Sequence, residues 1–246
     1  MIPLGALGSA RRASGAFSAD DYTGCTLWLK ADAITGKANG DVVDSWPDSA
    51  AAANHASRVG AGGATWGPLY VASAVNGLPA VDILGVGGPG ELGGFTSAAS
   101  ASGAEQTIFA VVYVDTVSST RTIRGASGSG GLQVRVETSG KQGLVKQLIA
   151  NLGSSTNGVS TGAWKLLTYT YSDSGNKVAF RLAAAANGAA STTASLTAST
   201  TTRIGQAFEG EPFDGKIAEL ITYSTLLNST QISEVESYLT TKWGIS

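Results

Sequence analysis

The chain has 246 residues, a hydrophobic fraction of 43% and a net charge of −2, with only 14% charged residues. This length and apolar content are enough for one large domain with a real core. The weak charge and the lack of a polybasic segment argue against a nucleic-acid partner and against an electrostatic membrane-surface site. No apolar run approaches the about 20 residues that a membrane-spanning helix needs, so no membrane insertion is expected.

The N-terminal stretch MIPLGALGSARRASGAF does not have the order of a secretory signal. Its apolar residues 2–7 precede Arg11 and Arg12, whereas a signal peptide places positive charge first. Its glycines disfavour a stable isolated helix. Two interpretations remain open, a frayed terminus or an extended arm over residues 1–24 that orders against a partner.

Short strand-like segments recur from Cys25 to the C-terminus. They lie at residues 26–32, 78–84, 106–115, 131–138, 164–172, 177–182, 202–208 and 216–223. The segment 106–115 is almost continuously apolar, which predicts a strand buried on both faces. In 131–138 the side chains of Leu132, Val134 and Val136 share one face, and polar residues share the other.

Turn signals separate these segments. Asn-Gly occurs at Asn39-Gly40, Asn76-Gly77, Asn157-Gly158 and Asn187-Gly188, and this pair favours tight turns with positive φ. Residues 172–176, SDSGN, predict a hairpin loop. Many short strands at this spacing predict an all-β fold, an antiparallel sandwich.

One helix is predicted at the C-terminus. Asn228 and Gln231 have the spacing of a capping box, and Gly244 is a natural helix stop. An apolar stripe follows at spacings of three and four, formed by Ile232, Val235, Leu239 and Trp243. We expect this helix to lie on the sandwich with Trp243 as its anchor.

These segments resemble a family. The elements Trp28 to Asp32, Val43 to Ser49 and Asn54 to Ala56, then NGLPAVDILG and the closing residues 213–246, are similar to concanavalin A-like, laminin-G-like jelly-roll domains. The resemblance covers about residues 25–246 and implies a jelly-roll β-sandwich with one C-terminal α-helix. It says little about activity, because this fold hosts lectins, glycosidases and structural modules.

The first 24 residues resemble something else. PLGALGSARRAS is similar to the start of minor tail proteins from phages of actinobacteria. This resemblance implies an attachment arm over residues 1–24 that contacts other virion proteins, and a domain over 25–246 displayed on the particle. A homo-oligomer in the virion is compatible with it.

The residues that carry chemistry give no catalytic site. Cys25 is the only cysteine and His55 the only histidine, which excludes a cysteine zinc cluster, an intrachain disulfide and any two-histidine metal site. Glucan-cleaving relatives carry E-x-D-x-x-E on one strand, and that pattern is absent. Glu209 and Glu211 lie in a predicted loop, and Glu219 is expected to be an ordinary strand residue. No catalytic residue and no cofactor is predicted.

Two kinds of binding remain as expectations. Asp41, Asp44 and Asp48 are clustered, but turn and cap roles explain them without metal, so a structural calcium is an open alternative. Exposed aromatic rings in loops stack on sugars, which makes Trp66, Tyr70 and Phe95 candidate ligand contacts. The favoured interpretation for Trp66 and Tyr70 is that they plug one end of the core.

The sequence therefore favours a non-enzymatic virion protein, a minor tail protein that displays a lectin-like domain near host cell-envelope glycan. Three alternatives stay open: a capsid decoration protein, a free carbohydrate-binding module, and a glycan hydrolase with an unrecognised carboxylate pair.

Overall fold

The computed structural model describes residues 16–59, 67–83, 93–126, 128–197, 199, 201–207 and 211–246. Across these ranges the chain forms strands β1 (Cys25–Lys30), β2 (Ser45–Trp46), β3 (Ala56–Arg58), β4 (Leu69–Val75), β5 (Leu78–Ile83), β6 (Phe95–Ser97), β7 (Glu105–Val114), β8 (Arg121–Ala126), β9 (Leu132–Val136), β10 (Lys141–Lys146), β11 (Ala150–Gly158), β12 (Trp164–Ser172), β13 (Lys177–Leu182), β14 (Ala185–Ser191), β15 (Thr202–Ile204) and β16 (Gly215–Tyr223). The α-helix, α1, spans Ser229–Trp243.

The strands pair antiparallel in two eight-stranded sheets. Sheet A has the order β14-β13-β12-β7-β16-β5-β4, and β1 also pairs with β16. Sheet B has the order β11-β10-β9-β8-β15-β6-β3-β2. This arrangement confirms the predicted antiparallel jelly-roll sandwich with one C-terminal helix.

Strand β7 shows how the layers are stacked. Its Ile108, Ala110 and Val112 belong to the core between the two sheets. Phe109 and Val111 point the other way, into a second core under α1. The prediction that this segment is buried on both faces is confirmed. Sheet A is therefore the middle layer, with sheet B on one side and α1 on the other.

Helix α1 begins and ends where the sequence predicts. The Asn228 side chain accepts a hydrogen bond from the Gln231 N–H at 3.0 Å, and the Gln231 side chain accepts one from the Asn228 N–H at 2.9 Å. Gly244 ends the helix in the left-handed conformation, at φ 61°. Leu239 and Trp243 are buried beneath the helix, which confirms Trp243 as its anchor.

Residues 17–24, which the sequence assigns to the arm, pack against the domain. The ring of Phe17 stacks on Tyr238 of α1, with centroids 4.1 Å apart. Ala19 is fully buried, and its carbonyl accepts a hydrogen bond of 3.0 Å from the Tyr223 hydroxyl. The folded unit therefore begins no later than Phe17 rather than at Cys25. Residues 1–15 of the expected arm lie outside the described residues.

The Asn-Gly pairs do not all form turns. Asn76-Gly77 makes the β4–β5 turn, with φ of 49° and 73°. Asn187-Gly188 lies inside β14, and Asn157-Gly158 ends β11. The buried Asn187 side chain accepts from the Asn157 N–H at 2.9 Å and donates to the Gln142 amide at 2.9 Å. The turn prediction is wrong at these two pairs, because Asn187 joins the edges of the two sheets.

The turn between β13 and β14 is made by two alanines instead. Leu182 pairs with Ala185, so Ala183 and Ala184 are the two turn residues, with φ of 49° and 60°. An L-residue with a Cβ is strained in this conformation, and two-residue hairpins prefer Asn-Gly for that reason.

Replacing these alanines by Asn-Gly (A183N/A184G) is expected to raise the free energy of unfolding by about 1 kcal/mol, because asparagine and glycine tolerate positive φ better. Urea unfolding followed by tryptophan fluorescence measures the change. The matched control is Gly77→Ala, which puts a Cβ into open space at φ 73° and should lower stability. An A183N/A184G variant no more stable than the parent would contradict the strain argument.

Candidate ligand-binding groove

Two of the three aromatic residues predicted as ligand contacts, Tyr70 and Phe95, do not form a shared exposed platform. Phe95 has 0% relative exposure and packs against Trp46, with ring centroids 5.5 Å apart. The expectation that it lies exposed in a loop is wrong, because β6 carries it into the core between the sheets. Tyr70 is half-buried in β4 and packs against that same core. Trp66 lies outside the described residues.

The clustered aspartates hold turns and ion pairs. Asp41 accepts a hydrogen bond from the Ala38 N–H at 2.7 Å, and Asp44 pairs with Arg58 at 3.0 Å. The buried carboxylate of Asp48 accepts from three backbone N–H groups at 2.7, 2.9 and 2.7 Å, those of Trp28, Ala50 and Asn54. Asp41 and Asp48 thus have backbone contacts of the turn and cap kind that the sequence suggests, whereas the ion pair of Asp44 was not predicted.

The single histidine and cysteine also have structural surroundings. His55 Nδ1 accepts a hydrogen bond of 2.9 Å from the Asp48 N–H. Burial, with a smaller contribution from nearby Asp20, raises the pKa of the Cys25 thiol to about 12. A thiol that stays protonated at neutral pH is a poor nucleophile.

Glu219 is a fully buried carboxylate, and its oxygens are all engaged. One oxygen accepts from the Trp28 indole at 2.5 Å and from the Tyr238 hydroxyl at 3.0 Å. The other accepts from the Trp243 indole at 2.8 Å and from the Lys242 ammonium at 2.9 Å. Burial and this carboxylate raise the pKa of Tyr238, which keeps its hydroxyl a donor. Glu219 is therefore a structural residue with no open side for a substrate.

A second group of carboxylates lies where β5, β7 and β16 meet. Burial raises the pKa of Asp82, although Lys216 opposes this shift. Lys216 Nζ lies 3.7 Å from Asp82 and 3.3 Å from Asp115. A hydrolase needs two carboxylates that flank the scissile bond. Here Lys216 lies between Asp82 and Asp115, so these two carboxylates and the lysine form an ion-pair network.

The clearest open site is a groove on the outer face of sheet B. Leu132, Val134 and Val136 of β9 face the core, so Gln133 and Arg135 face outward. In the strand register Gln133 lies opposite Val145 of β10. Val145 in turn lies opposite Asn151 of β11. Pairing therefore places an amide, an aliphatic and a second amide side chain in one row across three strands.

Polar side chains close one side of this row. Gln133 donates to the Glu211 carboxylate at 2.6 Å, from the loop before β16. Arg135 pairs with Glu137 at 3.2 Å, across the Cα of Gly143. A Cβ at Gly143 would lie 2.7 Å from the Glu137 carboxylate, so glycine is needed there for this pair.

The other side is aliphatic. Leu148 and Ile149, in the turn between β10 and β11, are 59% and 57% exposed and line the groove. The cavity measures about 410 Å³, which is within the usual range for a small-molecule site. We call these residues the sheet B groove: Gln133, Arg135, Val145, Leu148, Ile149, Ala150, Asn151 and Glu211.

Sequence reasoning found only part of this groove. The alternation in β9 marks Gln133 and Arg135 as outward-facing, and Glu211 was considered only as a hydrolase carboxylate. The β10–β11 hairpin was not predicted, because the residues between Lys146 and Ala150 are Gln-Leu-Ile and contain no glycine, asparagine or proline. Leu148 makes the turn with φ 64°, a conformation that the sequence does not announce.

Comparison with known proteins agrees with this architecture. A family model described as the concanavalin A-like lectin/glucanases superfamily matches residues 92–233. The chain belongs to this superfamily. Comparison with curated protein sequences finds no match.

Solved structures of other members of this fold class are similar over most of the chain. Domain 4 of AbnA, an extracellular GH43 arabinanase from Geobacillus stearothermophilus in complex with arabinotriose, has a TM-score of 0.64 and 15% identity, covering 87% of this chain and 98% of that one. A structure of botulinum neurotoxin type C, described as dependent on two ganglioside molecules for cell entry, has a TM-score of 0.62 and 8% identity, covering 88% of this chain and 51% of that one.

The binding domain of Paraclostridial Mosquitocidal Protein 1 has a TM-score of 0.62 and 11% identity, covering 90% of this chain and 53% of that one. The chain thus spans about half the length of the two toxin chains. At these identities the likeness concerns the fold. Several of the similar structures are described as binding domains. No helix in the described part of the chain is long and apolar enough to cross a membrane.

Removing the Glu219 charge is expected to destabilise the folded protein. Glu219→Gln should lower the free energy of unfolding by about 3 kcal/mol or more, because one amide cannot accept from two indoles, a hydroxyl and an ammonium at once. Chemical denaturation measures this. Asp44→Asn, which breaks a solvent-exposed ion pair with Arg58, is the control and should cost less than about 1 kcal/mol. Equal effects of the two changes would contradict a structural role for Glu219.

Proposed function

We propose that the chain is a non-enzymatic carbohydrate-binding module of a phage virion. In this proposal the N-terminal arm attaches the module to other virion proteins, and the sheet B groove contacts glycan on the host cell envelope. A minor tail protein is the favoured location.

The observation that carries the proposal is that the N-terminal segment and the sheet B groove lie on opposite faces of the domain. Phe17, near the start of the described residues, stacks on Tyr238 of α1, which covers the outer face of sheet A. The groove lies on the outer face of sheet B. Attachment through the residues before Phe17 therefore presents the groove on the side of the domain away from the particle.

Two further points support a glycan as the ligand. The chain belongs to a superfamily of lectins and glucanases, and structures of the same fold are described in complex with arabinotriose or as dependent on gangliosides. The groove offers what a sugar needs: amide and carboxylate groups for its hydroxyls, and aliphatic side chains for its apolar face.

Support for the virion comes from the sequence of the arm. PLGALGSARRAS is similar to the start of minor tail proteins from actinobacterial phages. A capsid decoration protein differs only in where the arm docks. A free carbohydrate-binding module differs in having no particle partner.

Co-sedimentation tests the arm. Full-length protein and a 16–246 variant are mixed with particles that lack the protein, and separately with isolated host cell envelopes. Residue 16 is the correct cut because Ala19 is buried and Phe17 packs on α1, so a 25–246 variant would damage the fold. We expect full-length protein to bind particles, 16–246 to lose that binding, and both to bind envelopes. Equal particle binding by both forms, or none by either, would contradict the proposal that the arm attaches the domain to the particle.

A matched pair of variants tests the groove. Ile149→Ser should weaken envelope binding by about tenfold because it removes exposed apolar surface at the groove. Leu226→Ser changes another exposed aliphatic residue, 47% exposed and remote from the groove, and should leave binding unchanged. Equal loss in both variants would mean that the groove is not the contact surface.

A further inference from the structure

The side chains of the sheet B groove narrow the class of ligand. Resting on the proposed glycan-binding function, we infer that the groove binds a neutral sugar with an acetamido substituent, an N-acetylhexosamine. Its acetyl methyl group lies against Leu148, Ile149 and Val145, and its amide N–H and hydroxyls face Glu211 and Asn151.

The charge of the groove excludes an acidic sugar. Arg135 is already neutralised by Glu137, 3.2 Å away. Glu211 accepts from Gln133 at 2.6 Å and from the Thr122 hydroxyl at 3.4 Å, both neutral donors. In the part of the chain that the structure describes, no lysine or arginine forms an ion pair with Glu211. The groove therefore carries one uncompensated negative charge, which repels carboxylate, sulfate and phosphate groups and favours N–H and O–H donors.

The apolar wall of the groove is aliphatic rather than aromatic. Among the described residues that line it, none is a tryptophan, tyrosine or phenylalanine. A bare pyranose ring stacks best on an aromatic face, whereas branched aliphatic side chains suit a methyl group. An acetamido group supplies that methyl next to an amide donor, which matches an aliphatic wall beside a carboxylate.

The conformation of Leu148 indicates that this apolar wall does not serve to stabilise the fold. Leu148 is held at φ 64°, where glycine would be unstrained, and its side chain is 59% exposed. Most of the leucine side chain is exposed, so it gains little from burial in the domain, and it costs backbone strain. Residues with such strained backbone conformations cluster at ligand sites, where the side chain contacts the ligand.

The turn that carries Leu148 is anchored on its N-terminal side. Gln147 is fully buried, and its side chain accepts a hydrogen bond of 2.8 Å from the Ala126 N–H. Its backbone N–H donates to Gly131 at 2.9 Å, and its carbonyl accepts from Gly130 at 2.9 Å. These bonds keep the turn in place, so Leu148 and Ile149 stay exposed in a preorganised wall.

Titration calorimetry with the full chain and three oligosaccharides tests the inference. Tri-N-acetylchitotriose carries the acetamido group, cellotriose has a hydroxyl at the same position, and 3′-sialyllactose is anionic. We expect tri-N-acetylchitotriose to bind at least about tenfold more tightly than cellotriose, as one buried methyl and one hydrogen bond would give. 3′-Sialyllactose also has an acetamido group, on its sialic acid, so it tests the charge: its carboxylate should make it bind more weakly than tri-N-acetylchitotriose.

Two variants separate a binding role from a structural one. Leu148→Gly should weaken tri-N-acetylchitotriose binding by about tenfold while the melting temperature stays the same or rises, because glycine relieves the strain at positive φ. Ala183→Gly, which relieves strain at φ 49° in another turn, is the control and should change only stability. Glu211→Gln should weaken tri-N-acetylchitotriose binding and reduce the preference over 3′-sialyllactose.

The outcomes distinguish this inference from the proposed function. Suppose that cellotriose or 3′-sialyllactose binds as tightly as tri-N-acetylchitotriose, and that Leu148→Gly weakens the binding of that sugar. The inferred ligand class is then wrong, but the groove still binds glycan. If Leu148→Gly leaves every affinity unchanged, the groove is not the site. If none of these sugars and no envelope glycan binds, the glycan-binding function itself fails.

Discussion

One buried carboxylate determines how three parts of the chain meet. Glu219 of β16 receives hydrogen bonds from Trp28 of β1 and from Tyr238, Lys242 and Trp243 of α1. A buried charge is stable only where hydrogen-bond donors surround it. The donors to Glu219 of β16 come from β1 and α1, so these three elements have one fixed arrangement relative to one another. The hydroxyl of Tyr238 donates to Glu219, and the ring of the same residue stacks on Phe17. The place where the N-terminal segment reaches the domain thus depends on the same carboxylate.

This arrangement divides stability and recognition between the two sheets. Sheet A is covered on both faces, and a second buried carboxylate, Glu236 of α1, accepts two hydrogen bonds of 2.8 Å from Arg181 of β13 and one from Thr168 of β12. In the described part of the chain no helix lies over the outer face of sheet B. The sheet B groove is therefore separate from the helix contacts that stabilise sheet A.

Much of the fold could be predicted from the sequence, and the groove mostly could not. The capping box of α1 and the alternation of β9 are local patterns, and each is sufficient for its element. Phe95 was misplaced because GGFTS has loop composition, although β6 pairs on both sides and carries the ring inward. The β10–β11 hairpin was missed because Leu148 makes its turn in place of glycine. Glu211 reaches Gln133 across 78 residues of sequence, and no local pattern records such a contact.

The edges of sheet A have a further consequence for many copies held side by side. An open strand edge pairs readily with another chain and seeds aggregation. At β4 the backbone of Tyr70 is already bonded to Asp41 and Gly40, and the Ala72 N–H to the Asn39 side chain. At β14 the Asn187 amide ties the strand to β11 of the opposite sheet. The edges of sheet A are therefore poorly suited to pair with a second copy into a continuous intermolecular sheet.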